Sequence, residues 1–270
     1  MLLSRNTKNP GLTNDEYFGM LAAAGWQAVD LNETCFPDRL EQDPRYIHEA
    51  AEAARRAGLV IGQCHAPMAG GLYGSSPEKI EKMICATERC IAIADELDIP
   101  YTIIHPIFYD WTLPDPDPDY TAKINVDFLR RICGAAKKTV LCLENLPKGG
   151  LITNGKEMKK MLEMVARDDL MVCLDTGHLF TFGLKASDFF AEVGSRVKAL
   201  HLHDSGPNCT DLHLLPYTGR GDWNDFKETI RRYGYNGTLN SESDFSCRMP
   251  ADRRLKWEAI ERETIASLLE

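Results

Sequence analysis

Residues 58–94 read GLVIGQCHAPMAGGLYGSSPEKIEKMICATERCIAIA, and this stretch holds the unit from which the chain is built. Gly58 closes one helix, Val60 to Cys64 form a β-rich apolar run, and His65 stands at the end of that run. Ser76 followed by Pro77 reads as an N-cap with proline at the first helical position. Beyond them Ile80, Met83, Ile84, Ile91 and Ala94 recur at helical spacing, so this helix is one-sided. The same unit returns on either side. Candidate strands run from Leu2 to Arg5, Ala28 to Asn32, Tyr101 to His105, Val140 to Glu144, Met171 to Asp175, Val197 to His203 and Thr238 to Ser243, eight with the first. Thr13 with Glu16 reads as a capping box ahead of Phe18, Leu21 and Ala22, with Gly25 as the stop, and Asp43 followed by Pro44 reads as a further N-cap. The strands hardly alternate, as expected of a parallel sheet covered on both faces. Eight units of about 34 residues predict one closed (β/α)8 barrel, a TIM barrel, over residues 1–270. An open doubly wound sheet would carry a glycine-rich phosphate turn after its first strand, and none is present.

Composition narrows the function classes. With 31 Lys plus Arg against 40 Asp plus Glu the formal charge is −9, which argues against a basic surface coating DNA or an anionic membrane. No apolar run approaches the roughly 18 residues of a membrane span, and MLLSRNTK at residues 1–8 does not read as a signal peptide, so the cytoplasm is the expected address. The nine cysteines are odd in number, form no CxxC pair and mostly sit in apolar runs; they read as reduced, buried thiols.

The polar residues fall where a barrel places its chemistry, at the C-terminal ends of the strands. His65, His105, Glu144, Asp175, His178, His201, His203 and Glu242 all lie there, and of the seven histidines only His48 reads as helical. One histidine at a strand end is usually a hydrogen-bonded structural residue. Several imidazoles and carboxylates on one rim instead suit a divalent metal, because the ion neutralises groups that would each be costly to bury.

The motifs CHAP at 64–67, IHP at 104–106, LEN at 143–145, LDTGH at 174–178, LHLHD at 200–204, DLHLLP at 211–216 and SES at 241–243 together resemble the xylose isomerase-like TIM barrels. That family includes sugar and sugar phosphate isomerases and epimerases, and also the apurinic endonucleases of the endonuclease IV type. The resemblance implies one divalent ion, Mn²⁺ first with Mg²⁺, Co²⁺ or Zn²⁺ as alternatives, held by Glu144, Asp175, His201 and Glu242. It further implies that Glu144 and Glu242 are the acid/base pair, one removing a proton next to a sugar carbonyl and the other returning it through a metal-stabilised enediolate. In the endonuclease branch three zinc ions would engage His65, His105, Glu144, Asp175, His178, His201, Asp211, His213 and Glu242. A metal-dependent lyase acting on an oxidised, 3-keto glycoside is a third outcome the resemblance allows.

The stretch Pro106 to Tyr120 is long and proline-rich and reads as a lid or substrate wall. It carries Asp110, Asp115, Asp117 and Asp119 beside Tyr109 and Trp111. The acids would repel a phosphate backbone, whereas the aromatics would stack on a sugar or an aglycone. A small carbohydrate is therefore the expected partner, with no nucleic acid and no membrane, and assembly into a homo-oligomer stays open. The stretch TGRGDW at 218–223 replaces the Pro-Gly-Glu-Gly that the resemblance leads one to look for, and places Arg220 where a substrate phosphate could bind.

Overall fold

A computed structural model describes residues 1–68, 75–107, 117–147 and 151–270 of the chain. Tyr109, Asp110, Trp111 and Asp115, proposed above as part of a lid, lie outside the described residues. Eight parallel strands, β1 Leu2–Asn6, β2 Ala28–Leu31, β3 Val60–His65, β4 Tyr101–Ile104, β5 Val140–Glu144, β6 Met171–Asp175, β7 Val197–His201 and β8 Thr238–Ser241, are joined in the order β7-β6-β5-β4-β3-β2-β1-β8. The barrel closes just beyond β7, where Leu202 bridges Ser241 and the Glu242 N–H donates to the Leu202 carbonyl at 3.0 Å. The chain is a single-domain TIM barrel.

Helices α1 Asn14–Ala23, α2 Pro37–Gln42, α3 Arg45–Arg56, α4 Pro77–Glu96, α5 Pro118–Ala135, α6 Gly155–Val165, α7 Thr176–Phe180, α8 Ala186–Val193, α9 Trp223–Arg232 and α10 Arg254–Ala266 follow in chain order. The capping box of Thr13 and Glu16 forms as read. Asp43 does not cap: its carboxylate accepts from Arg45 Nε instead, and Pro44 takes the N-cap position of α3. Ser76 stands at the N-cap of α4, but its side chain makes no capping bond. His178 is also helical. The Asp175 carboxylate accepts the His178 N–H at 2.7 Å and so starts a short α7 directly at the end of β6.

Between strands and helices lies one continuous apolar layer, including Phe18, Leu21, Ile47, Ile91, Leu129, Phe189 and Phe226, all fully buried. Each such side chain contributes about 1.5–3 kcal/mol relative to exposure. A smaller apolar group, Ile103, Cys142, Cys173 and Ala199, packs together on β4 to β7. The side formed by β8, β1, β2 and β3 is different: Asn6, Gln63 and Asn240 donate to Asp30 Oδ2 at 3.3, 3.0 and 3.1 Å. Most cysteines are buried, and no described pair forms a disulfide.

Candidate metal centre

His201 ends β7 fully buried, with its Nδ1 3.1 Å from Glu144 Oε1, 3.2 Å from Glu242 Oε2 and 3.9 Å from Asp175 Oδ2. The candidate donor atoms of these four residues lie within 4.8 Å of one another. Two further groups flank them: His65, His105 and Glu144 on one side, and His178, His203, Asp211 and His213 on the other. Every metal-ligand candidate read from the sequence thus meets at one end of the barrel.

Backbone carbonyls fix which imidazole nitrogen faces the centre. His65 Nδ1 is 2.6 Å from the Ala66 carbonyl, His178 Nδ1 2.8 Å from that of Asn145, and His213 Nδ1 3.0 Å from that of Glu242. A carbonyl only accepts, so each Nδ1 carries a proton and Nε2 is the atom that faces the centre, where it can hold a second proton or a metal ion. His201 is turned the other way, with Nδ1 to the carboxylates and Nε2 3.2 Å from Asp30 Oδ2. Asp30 thus stands behind this candidate ligand at ion-pair distance, with His201 Nε2 making no hydrogen bond among the described residues. Asp30 was missed in the sequence; an acid inside the apolar run AVDL was the available signal.

Local sequence explains the rigidity. Asn145 of the LEN motif joins β5 to β6: its side chain donates to the Asp175 carbonyl at 3.0 Å and accepts the Asp175 N–H at 2.8 Å. His203 Nε2 lies 2.9 Å from the Asp175 carboxylate, and its ring stacks on His213 with centroids 3.9 Å apart. Gly177 is required beneath it, since a Cβ there would fall 2.0 Å from His203 Cε1.

The electrostatics of these groups without an ion test the fit of a metal. His65 Nε2 and His105 Nε2 point at each other across 3.2 Å, and both face Glu144 Oε2, at 3.4 and 2.9 Å. Two lone pairs and a carboxylate repel unless a proton or a cation stands between them. Burial would raise the Glu144 carboxyl, yet His201 and His105 hold it well below the usual carboxylate range. Burial likewise opposes charge on His178 and His213, but neighbouring Asp175, Asp211 and Glu242 push them up to about 10 and about 9. Burial lowers His105. Imidazolium protons occupy the role of a cation, and the buried Nδ1 atoms of His105 and His203 and Oδ1 of Asp211 still lack partners. The donor set fits divalent metal. Cys173 also stands near Glu144 and His201, but burial raises its thiol well above the ordinary value, so it stays protonated.

A cavity of about 300 Å³ opens onto these donors, its lining including His105, Glu144, Asp211 and Glu242 together with Lys8, Asn32 and Met68. Lys8 and Asn32 were not singled out in the sequence, being ordinary polar residues after β1 and β2. Arg220 lies elsewhere, in a loop anchored by Asp204, which accepts from the N–H groups of Gly219 and Gly221 and from Trp223 Nε1 at 3.0, 2.8 and 2.8 Å. Its guanidinium is exposed and donates to Cys209 Sγ. Among the described residues no helix is long and apolar enough to cross a membrane.

Known proteins share this frame. A curated relative, the probable endonuclease 4 of Metamycoplasma arthritidis, is 26% identical over 172 residues, 59% of this chain; the chain spans 59% of that relative's length. The solved structure of D-psicose 3-epimerase with D-tagatose from Clostridium cellulolyticum H10 superposes with a TM-score of 0.79 at 16% identity, covering 100% of both chains. That of the 3-keto-D-glucoside 4-epimerase of E. coli gives 0.76 at 16%, over 99% of this chain and 98% of the other. At such identities these structures establish the barrel alone. The sequence pattern described as xylose isomerase-like TIM barrel matches residues 18–269, and with the barrel and its rim of donors in place, the chain belongs to that family.

Proposed function

We propose that the protein is a divalent-metal-dependent isomerase or epimerase of a carbohydrate. The observation that carries this reading is the placement of two carboxylates from separate strands, Glu144 and Glu242, 3.1 and 3.2 Å from the same His201 nitrogen beside a cavity of monosaccharide scale. Glu144, Asp175, His201 and Glu242 would hold the ion; three carboxylates and one imidazole suit a hard cation such as Mn²⁺ or Mg²⁺. Bound there, its contribution is to acidify the C–H bond beside a carbonyl and to neutralise the charge that develops. One glutamate takes the proton and the other returns it, to the opposite face in epimerisation or to the adjacent carbon in aldose–ketose isomerisation. Asp30 sets a carboxylate 3.2 Å behind His201 Nε2, raising the basicity of the ring, and Lys8, held by Asp244 and the Glu242 carbonyl, fixes the backbone on which Glu242 rides.

The test is carbon-bound exchange. Incubation in D₂O with ketoses, aldoses, their phosphates and 3-keto glycosides should place deuterium next to the carbonyl of at least one substrate, dependent on added Mn²⁺. No exchange on any of them defeats the reading.

A second reading rests on the two flanking donor groups, which offer sites for further ions, and on the endonuclease relative. In that reading the chain holds three Zn²⁺ and cleaves abasic DNA. Metal analysis of protein purified without chelator separates the two: about one ion per chain supports the isomerase, and about three Zn with nicking of abasic duplex supports the nuclease.

A further inference from the structure

We propose that a second cavity, adjoining the metal pocket, is an oxyanion site that holds the anionic substituent, phosphate or carboxylate, of the substrate. The part of this proposal that concerns substrate rests on the isomerase reading; the site itself does not. The cavity measures about 510 Å³ and is lined by Lys8, Asn9, Asn32, Phe36, Tyr46 and Arg254 among others. It shares Lys8 and Asn32 with the metal pocket. The two walls are opposite in charge. The metal pocket carries Glu144, Asp211 and Glu242, whereas the described lining of its neighbour has two cations and no carboxylate, in a chain of net charge −9.

Arg254 is the decisive residue. It is only 6% exposed, and among the described residues its Nε has no hydrogen-bond partner and its one hydrogen bond runs from Nη2 to the Cys247 carbonyl at 2.7 Å. No described carboxylate pairs with it. The three acids on its own helix are committed elsewhere: Glu258 and Glu261 pair with Arg5 at 3.2 and 3.4 Å, Glu258 also accepts from Trp26 and Ser246, and Glu263 pairs with Arg262 at 3.6 Å. The Lys8 charge is matched by Asp244. Guanidinium groups keep their charge in protein interiors, and burying one without a counter-ion is costly. An oxyanion in the adjoining cavity would remove that cost, its two oxygens matching the flat fork of N–H donors. Arg254 also opens α10, a 13-residue helix whose N-terminus favours a negative charge. A substrate spanning both cavities would put its carbonyl and hydroxyls toward the metal ligands and its anion toward Arg254.

The experiment titrates metal-free protein with inorganic phosphate at constant ionic strength, reading the melting temperature and heat. The wild type should show saturable binding. Arg254→Gln should weaken it by about tenfold or more, with Arg254→Lys in between, while Glu144→Gln and Arg220→Gln bind as the wild type does. Absence of saturable binding in the wild type overturns the proposal, as does phosphate affinity that survives Arg254→Gln but is lost in Glu144→Gln. Should Arg254→Gln fail to fold, Arg254→Lys and the wild-type titration still decide. Glucose 6-phosphate and glucuronate then identify the anion: whichever binds in an Arg254-dependent way supports the site, and equal binding of glucose and both anions overturns it. Arg254-dependent phosphate binding without C–H exchange on any sugar would sink the isomerase reading and leave this site standing.

Discussion

The two halves of the barrel interior are built on opposite rules. On β4 to β7 the packed group is apolar, Ile103, Cys142, Cys173 and Ala199. On β8, β1, β2 and β3 three amides converge on one carboxylate, Asp30, which faces His201 across the barrel at 3.2 Å. An apolar wall needs only volume, and many side chains could supply it. A polar wall is satisfied only when every member is present, because a buried amide or carboxylate left unpaired costs about 1–3 kcal/mol. The difference shows where the barrel is generic and where it is committed: the polar half backs His201, the proposed metal ligand at the end of β7.

The largest effects should fall where both halves meet, at the rim. Glu144→Gln and Glu242→Gln should each reduce turnover by about 10²–10⁴-fold or more, since each removes an anionic ligand and a proton acceptor while leaving the shape. Circular dichroism and melting curves should stay near those of the wild type. Substantial activity in either variant with metal still bound would remove that residue from acid/base duty.

Asp30→Asn tests the polar half one step back. Loss of the carboxylate behind an imidazole ligand should weaken metal binding by about 10–100-fold, measured by competition with a chelator, with turnover recovering as Mn²⁺ is raised. Asp30→Leu should in addition lower stability, because the amides of Asn6, Gln63 and Asn240 lose their acceptor. Unchanged metal affinity in Asp30→Asn would mean that His201 is held by its backbone and neighbours alone.

Much of this was legible in the chain before its fold. Repeating units of strand, loop and capped helix gave the barrel, and strand ends gave the ligand candidates, because in a parallel barrel position along a strand determines which rim a residue reaches. Asp30 escaped because it lies within its strand rather than at the end, and strand periodicity says which face a residue occupies but not what it faces across a closed sheet. His178 lies just past β6 as read, but in a helix that was not expected: Asp175 caps it, held in place by Asn145 directly after β5, a tertiary arrangement. Asp43 is no cap because α3 starts one residue later than read, at Arg45, which leaves Pro44 at the N-cap. Arg254 carried no sequence signal, since an arginine at a helix start is ordinarily solvated, and only burial without a described counter-ion distinguishes it.

His213→Ala separates a single-metal centre from a multi-metal one. If His65, His105 and His213 orient substrate, the variant should keep about one tightly bound ion per chain, and Tm in the presence of Mn²⁺ should rise over the chelated protein as in the wild type. Loss of a bound zinc would instead assign His213, with His178 and Asp211, to an ion of its own.

The smallest effect is expected in the apolar half. Cys142 is fully buried on β5 and packs with Ile103 and Cys173, and burial pushes its thiol well above the ordinary value, so it stays protonated and acts as a small hydrophobe. Cys142→Ala removes one sulfur from a packed wall and should cost about 1 kcal/mol of stability, seen as a fall in Tm of a few degrees at most, roughly 2–4 °C for a chain of this size. Metal affinity and turnover should not change, because the Cys142 thiol bonds to the Val140 carbonyl and to none of the proposed ligands. A drop in metal affinity comparable to that of Asp30→Asn would show that the two halves are mechanically coupled, and the distinction between a generic wall and a committed one would fail.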